Sequence, residues 1–145
     1  MISGECTVAS ASAQVKVSDA RSTSAIFLNP KLETFHLIRF DGCVVKNTAA
    51  CDWLVVKPNS ATIAVELKGC DVDHAAEQIL ASMEYLKGKE LGKLRLAGLI
   101  ICSRYPKVDT KVQRLKQKLA TKFRAPLHVM TYGRNLDFEK LAKFA

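Results

Sequence analysis

Two apolar runs separated by a short turn-forming stretch constrain the fold of this chain more than any other feature. The first run contains Val55-Val56 and the second contains Ile63-Ala64-Val65. Between them lies Lys57-Pro58-Asn59-Ser60, where proline restricts φ and asparagine tolerates unusual backbone angles. The pattern predicts two antiparallel strands that reverse direction near Asn59.

Charged residues lie at the open end of this predicted hairpin. If the chain reverses about Asn59, Asp52 lies opposite Glu66, and opposed residues share a face with their Cβ atoms about 4.5–5.5 Å apart. Lys68 follows two positions later, so strand alternation returns it to the same face. A shift of one residue in the register would turn Asp52 away. Two carboxylates and a lysine on one face can hold Mg²⁺ against a phosphodiester, which makes this chain a candidate nuclease.

The composition is that of an ordinary soluble globular protein. The 145 residues are 48% hydrophobic and 25% charged, which predicts a single domain over 1–145, with 1–34 the least certain part. No apolar run approaches the roughly 20 residues that cross a bilayer, and residues 1–5 lack the pattern of a signal peptide. Five cysteines form no C-x-x-C pair, which favours reduced thiols over disulfides or a zinc site and indicates a cytoplasmic protein. They are Cys6, Cys43, Cys51, Cys70 and Cys102.

The positive charge is concentrated in the second part of the chain. Residues 1–86 contain 7 Lys/Arg and 10 Asp/Glu, a net of −3, whereas residues 87–145 contain 15 and 4, a net of +11. Clustered positive charge attracts a polyanion through counterion release. A solvated basic helix face is the alternative explanation.

The remaining patterns predict an α/β fold with a central mixed β-sheet flanked by helices on both faces. Residues 1–34 show no firm periodicity and are expected to be irregular or to supply an edge strand or a short helix. Asp71 or Asp73 caps the first predicted helix. A strand is predicted over 35–45, before the hairpin, with a bend or hairpin turn at Asp41-Gly42. The elements predicted after the hairpin are a helix over 71–86, a buried strand over 94–102, a helix over 110–124, a strand over 127–131 and a closing helix capped by Asn135.

This element order and these residues resemble the PD-(D/E)xK nuclease superfamily, which has the restriction endonuclease-like fold. The resemblance covers roughly residues 35–132. The family motif is an aspartate on the second core strand and (D/E)-x-K on the third, here Asp52 and Glu66-Leu67-Lys68. Cys51 stands where the family often has a proline. The motif is short, and its value comes from the strands around it and the helix that follows.

The resemblance implies a role for each motif residue. Asp52, Glu66 and the Leu67 carbonyl would coordinate Mg²⁺ or Mn²⁺, which prefer oxygen ligands. Lys68 would position the attacking water and offset the charge of the scissile phosphate. Gln78, on the following helix, would contact phosphate or a metal-bound water. An ordinary charged sheet edge, in which Lys68 neutralises the two acids, is the alternative.

Other side chains are weaker candidates. His74 suits a surface position in the first helical turn and Tyr85 suits packing, as does Trp53, which should face away from the carboxylates. A further acid near the metal is common in the family, but none stands out here, which leaves one-metal and two-metal chemistry both open. The acids considered are Glu5, Asp19, Glu33 and Asp41.

The function predicted from the sequence is a metal-dependent nuclease, most simply a DNA endonuclease that works as a homodimer or with a larger partner protein. The alternative is a nucleic-acid-binding subunit on the same fold with a catalytically weak or inactive site. Nucleic-acid backbone contacts are expected from Arg104 and from the basic helix. The helix residues are Lys111, Arg114, Lys118 and Lys122.

Overall fold

The computed structural model describes residues 4–19, 23–68, 71–102 and 110–144, with Lys68 described through its backbone. Eight strands and three α-helices lie within these ranges, together with two short 3₁₀ turns. The strands are β1 Thr7–Ser10, β2 Gln14–Ser18, β3 Ser24–Leu28, β4 Phe35–Arg39, β5 Trp53–Lys57, β6 Ala61–Lys68, β7 Arg95–Cys102 and β8 Leu127–Met130. The helices are α1 Val72–Leu86, α2 Thr110–Phe123 and α3 Phe138–Leu141.

Six strands form one mixed sheet in the order β1-β4-β5-β6-β7-β8. The pairs from β1 to β6 are antiparallel, whereas β6, β7 and β8 run parallel. Parallel neighbours need a crossover connection, and α1 and α2 occupy the two crossovers. The predicted α/β architecture with a mixed sheet is therefore confirmed.

The two faces of the sheet are covered differently. One core cluster joins the α1 side chains Val72, Ile79 and Met83 to alternate sheet residues such as Leu54 and Ile100. A second cluster, on the opposite face, packs against the β2–β3 hairpin and the single turn of α3. Helices thus cover one face, and the other face is covered mainly by a hairpin, so the prediction of helices on both faces holds only through α3.

The sequence patterns located the strongly periodic elements well and the N-terminal region poorly. Residues 1–34 supply three strands, of which β1 is an edge strand paired with β4. The strand predicted over 35–45 ends at Arg39, and the bend predicted at Asp41-Gly42 is present, with Gly42 at a positive φ of 80°. The closing helix is capped by Asp137, whose side chain accepts a hydrogen bond from the Lys140 N–H, and not by Asn135 as predicted.

The prediction that all cysteines are reduced is wrong for one pair. Cys6 and Cys43 form a disulfide across 37 positions, whereas Cys51 and Cys102 are buried cysteines that form no disulfide within the described residues; Cys70 lies outside those residues. Distant cysteines meet because β1 pairs with β4 and so brings the turn after β4 close to Cys6, which sequence spacing could not reveal.

Candidate metal-binding site

The register of the β5–β6 hairpin is the one that the sequence predicts. Trp53 pairs with Val65 and Leu54 with Ala64, and the turn contains Asn59 at a φ of 62°. Continued by one position, this register sets Asp52 opposite Glu66. Both residues share the face of Leu54 and Ala64, on which α1 and α2 pack.

Two hydrogen bonds lock the paired acids together. The Asp52 N–H donates to Glu66 Oε1 at 3.0 Å, and the Leu67 N–H donates to Asp52 Oδ2 at 2.8 Å. Each carboxylate therefore accepts a backbone N–H from the segment that carries the other. Glu66 has no exposed surface, whereas Asp52 is partly exposed. The pair forms a buried acid behind an accessible one.

The acid pair lies where parallel strands end. Glu66 pairs with Ile100 on β7, and the backbone of Lys68 pairs with Cys102. In open α/β sheets, ligands bind in the crevice outside the carboxyl ends of the strands. The N-terminus of α1, which carries partial positive charge, follows at Val72 after the cap by Asp71. The location is therefore typical of a ligand-binding edge.

Helix α1 holds the segment that leads into Asp52. Gln78 Nε2 donates to the Ala50 carbonyl at 3.2 Å, and Ser82 Oγ accepts the Cys51 N–H at 2.8 Å. Ser82 Oγ also donates to the Gln78 carbonyl at 2.8 Å. Gln78 and Ser82 are both buried. Gln78, predicted to contact phosphate or a metal-bound water, is held by this bond to the backbone beside the acid pair.

Ser82 is a residue that sequence reasoning missed. The sequence patterns gave its hydroxyl no role. A polar residue at i+4 from Gln78, on a helix face that also carries Ile79 and Met83, is a signal that could have found it.

Cys51 is an inert neighbour of the acid pair. Burial raises the pKa of its thiol far above the ordinary value, and the charges of Glu66 and Asp52 raise it further, while a hydrogen bond with Ser82 opposes them. The thiol remains neutral at physiological pH, so Cys51 is neither a nucleophile nor a thiolate ligand.

Several predicted residues lie away from the acid pair. Glu33 forms an ion pair of 2.9 Å with Lys57 Nζ, at the far end of β5 from Asp52. Tyr85 packs edge-on against Phe40 with the ring centroids 5.3 Å apart, as its packing role predicts. The Trp53 side chain belongs to the opposite face and donates its Nε1–H to the Ser18 carbonyl at 3.0 Å.

The three remaining candidate acids and His74 do not enlarge the pair. Asp19 Oδ1 accepts the Thr23 N–H at 2.9 Å in the turn between β2 and β3. Asp41 lies in the bridged turn after β4, and Glu5 in a 3₁₀ turn at the start of the described chain. His74 is exposed on the first turn of α1, as its surface role predicts.

The basic helix packs beside α1 with its cations on the surface. Lys111 pairs with Glu77 at 2.6 Å, and Lys122 Nζ contacts Glu84 and lowers the pKa of that carboxyl. Arg114 and Lys118 are exposed. Arg104 lies outside the described residues, as does the side chain of Lys68. The four predicted contact residues on α2 are therefore accessible, but two of them already face acids.

The described residues contain neither a larger group of metal ligands nor a membrane-spanning helix. Among residues 4–19, 23–68, 71–102 and 110–144, no three His, Cys, Asp or Glu side chains are grouped so as to hold a metal ion. Within the same ranges, no helix is both long and apolar enough to cross a membrane.

Comparison of the chain with protein-family models, with curated proteins and with solved structures finds no match.

Proposed function

We propose that this protein is a metal-dependent nuclease of the PD-(D/E)xK superfamily, with the restriction endonuclease-like fold and DNA as its substrate. The observation that carries the proposal is the reciprocal bonding of Asp52 and Glu66 across the β5–β6 hairpin. Asp52 and Glu66 are 14 positions apart in the sequence, yet they meet near the carboxyl ends of the parallel strands.

The donor set fits a hard divalent cation. Mg²⁺ is usually held by one or two carboxylates together with water and substrate phosphate, so two protein carboxylates suffice. In a strand, the N–H and C=O of one residue point to the same side. The Leu67 N–H points to Asp52, so the Leu67 carbonyl is directed to that side as well. The proposed ligands of Mg²⁺ or Mn²⁺ are thus Asp52, Glu66 and the Leu67 carbonyl.

A cation between the two acids would also offset the repulsion between them. Like charges opposite each other on neighbouring strands are destabilising, and a buried carboxylate needs charge compensation. Glu66 has no exposed surface and lies beside a second carboxylate. When bound, the divalent ion would supply charge stabilisation for phosphodiester hydrolysis.

The chain's own residues have separate roles in this proposal. Asp52 is partly exposed, so it faces the substrate, whereas Glu66 anchors the site from within the sheet. Gln78 and Ser82 are positioning residues, because they bind the backbone of Ala50 and Cys51 immediately before Asp52. Lys68, the last motif residue, would act on the attacking water and the phosphate charge.

Nucleic acid as the substrate is supported by the charge distribution. Residues 87–145 carry a net charge of +11, and α2 exposes Arg114 and Lys118 on the same face of the sheet as the acid pair. Such cations give affinity for phosphates without sequence information. Cleavage of both DNA strands requires two sites, so the proposal includes a homodimer or a larger partner.

The second candidate is a nucleic-acid-binding subunit with an inactive site. It is favoured by the donor set, because the described residues supply two grouped carboxylates and no third His, Cys, Asp or Glu to join them. The two candidates differ in cleavage and agree in binding, so both quantities need to be measured.

The test is nicking of supercoiled plasmid and of single-stranded DNA in Mg²⁺ or Mn²⁺. Wild type is compared with Asp52→Asn, Glu66→Gln and Lys68→Ala. We expect each to lose at least about 100-fold in rate, because several kcal/mol of charge stabilisation disappears. Glu90→Gln is the matched control, since this exposed acid forms no side-chain cap bond. DNA binding is measured in parallel in EDTA.

Cleavage by wild type and by Glu90→Gln, with binding but no cleavage by the three site variants, supports the nuclease. Binding without cleavage by every protein rejects it in favour of the inactive subunit. Equal cleavage by wild type and the three variants would mean that a contaminant or another site is responsible.

A further inference from the structure

A basic cavity of about 390 Å³ lies at the amino end of β7, away from the acid pair. Arg95 opens β7 there and precedes Ile100, the partner of Glu66, by five residues. At about 3.3 Å per residue, the cavity is about 17 Å along the sheet from the carboxylates. It is therefore a separate feature of the surface.

Four cationic side chains converge on this cavity from three separate segments. They are Lys93 and Arg95 around the start of β7, Arg124 after α2, and Lys143 after α3. All four are exposed, and none of the described residues that line the cavity is acidic. Within the described ranges none of the four forms an ion pair, unlike Lys57, Lys111 and Lys122. Uncompensated like charges attract a polyanion.

Aromatic rings accompany these cations. Phe123 is partly buried in the wall, whereas Phe144 is 55% exposed at the rim. Phe144 also lines a neighbouring cavity of about 380 Å³, where Gln113, Gln117 and Lys116 supply polar groups. Cations that track a phosphate backbone, together with an exposed ring on which a base can stack, are the usual features of single-strand binding surfaces.

The backbone at Arg124 gives a second indication. This residue follows the last turn of α2 with a φ of 53°, in the left-handed region that favours glycine at helix ends. Arginine, and not glycine, occupies this position although its backbone is strained there. Arg124 lines the cavity, and strain of this kind is concentrated at ligand sites.

We propose that this cavity binds a segment of single-stranded nucleic acid, with its phosphates on Lys93, Arg95, Arg124 and Lys143 and a base stacked on Phe144. The concave shape and a volume in the range of nucleotide-sized ligand sites favour a flexible strand. In a duplex the bases are stacked on each other and unavailable to Phe144. The inference concerns binding alone and does not depend on catalysis by the acid pair.

The test is fluorescence anisotropy of a labelled 12-nucleotide single strand with the full chain in EDTA, over a series of salt concentrations. Arg95→Gln with Lys143→Gln removes two cavity charges, and we expect the slope of log K against log salt to fall by about 1.4, at about 0.7 for each lost phosphate contact. Lys16→Gln with Lys31→Gln removes the same charge from exposed positions elsewhere and should leave the slope nearly unchanged.

Three further variants distinguish binding at this cavity from a general effect of charge. Arg124→Gly should weaken binding while keeping or raising the melting temperature, because glycine suits the left-handed backbone. Asn59→Gly, at a φ of 62° far from the cavity, should leave binding unchanged. Phe144→Ala should weaken binding about tenfold through lost stacking.

Equal effects of the two double variants would overturn the proposal, since the attraction would then be general. Equal affinity for a single mononucleotide and for the 12-nucleotide strand would also overturn it, in favour of a small-molecule site. Loss of plasmid cleavage in the Asp52→Asn protein has no bearing on this outcome, because binding is measured without metal.

Discussion

Ser82 provides the sharpest test of how α1 holds the candidate site. Its hydroxyl has no exposed surface, accepts the Cys51 N–H at 2.8 Å and donates to the Gln78 carbonyl at 2.8 Å. Replacing it with alanine leaves the Cys51 N–H as a buried donor with no acceptor. Because Cys51 directly precedes Asp52, the loss occurs next to the acid pair.

The expected cost of Ser82→Ala follows from this one bond. An unsatisfied buried donor costs about 1–3 kcal/mol, so we expect a loss of about 2 kcal/mol in the free energy of unfolding. The Gln78 carbonyl lies inside α1, where helical bonding remains available to it, so its change adds little. For a chain of this size the melting temperature should fall by about 6 °C.

Urea unfolding and scanning calorimetry in EDTA measure both quantities. Ser12→Ala is the matched control, because this exposed serine contributes its backbone carbonyl, and not its hydroxyl, to the Asn29 side chain. A melting temperature of Ser82→Ala within about 1 °C of the control would refute the argument that this hydrogen bond supports the strand.

Three further changes have defined expected outcomes. Gly98→Ala should destabilise the protein by about 1–3 kcal/mol in urea unfolding, because the new Cβ would lie 2.8 Å from an α1 side chain and 2.9 Å from a β8 side chain. Reduction of Cys6–Cys43 should lower the free energy of unfolding by about 4 kcal/mol, since the bond closes a loop across 37 positions. The Lys57–Glu33 pair should make stability fall in acid below the ordinary Glu33 pKa of 4.5, because the bond to Lys57 lowers that pKa.

Each of these outcomes has its own check. Gly4→Ala, where nothing lies within 4 Å of the new Cβ, is the control for Gly98→Ala. A Cys6→Ala, Cys43→Ala double variant should be indifferent to reductant. For the acid effect the sign is fixed: a lowered carboxyl pKa contributes stability above 4.5 that is lost as the pH falls through the folded value. Lys57→Met should remove this contribution, and an unchanged pH profile would contradict the assignment.

Lys57 also makes the stability of the protein depend on pH in the alkaline range. Hydrogen bonds with Glu139 and Glu33 raise the pKa of its ammonium above the ordinary 10.5. Its contribution to stability is therefore complete below 10.5 and is lost as the pH rises through the higher folded value.

The sequence predicted those parts of the fold whose pattern is local and long. The apolar residues of α1 recur at helical spacing, and the observed helix begins within a residue of the predicted start at Asp71. The strand predicted over 94–102 begins at Arg95, and the helix predicted over 110–124 ends at Phe123. The β2–β3 hairpin was missed, because its strands are five residues long and its buried side chains are matched by a distant face of the sheet.

The candidate site also has one part that the sequence predicted and one part that it did not. The pairing of Asp52 with Glu66 was predictable because a hairpin register depends on the turn and on strand alternation, which are both local. The hydrogen bonds from Gln78 and Ser82 to the segment before Asp52 were not predictable from the sequence, because they depend on how α1 lies across the sheet.

By itself, the sequence determined that a mixed α/β sheet forms and that two acids meet on one of its faces, since backbone periodicity and turn geometry are properties of neighbouring residues. Tertiary structure decided which acid is buried, which cysteines join, and that four cations from three segments surround one cavity. Those outcomes depend on the packing of elements far apart along the chain, and packing is set by the shape and volume of the whole core.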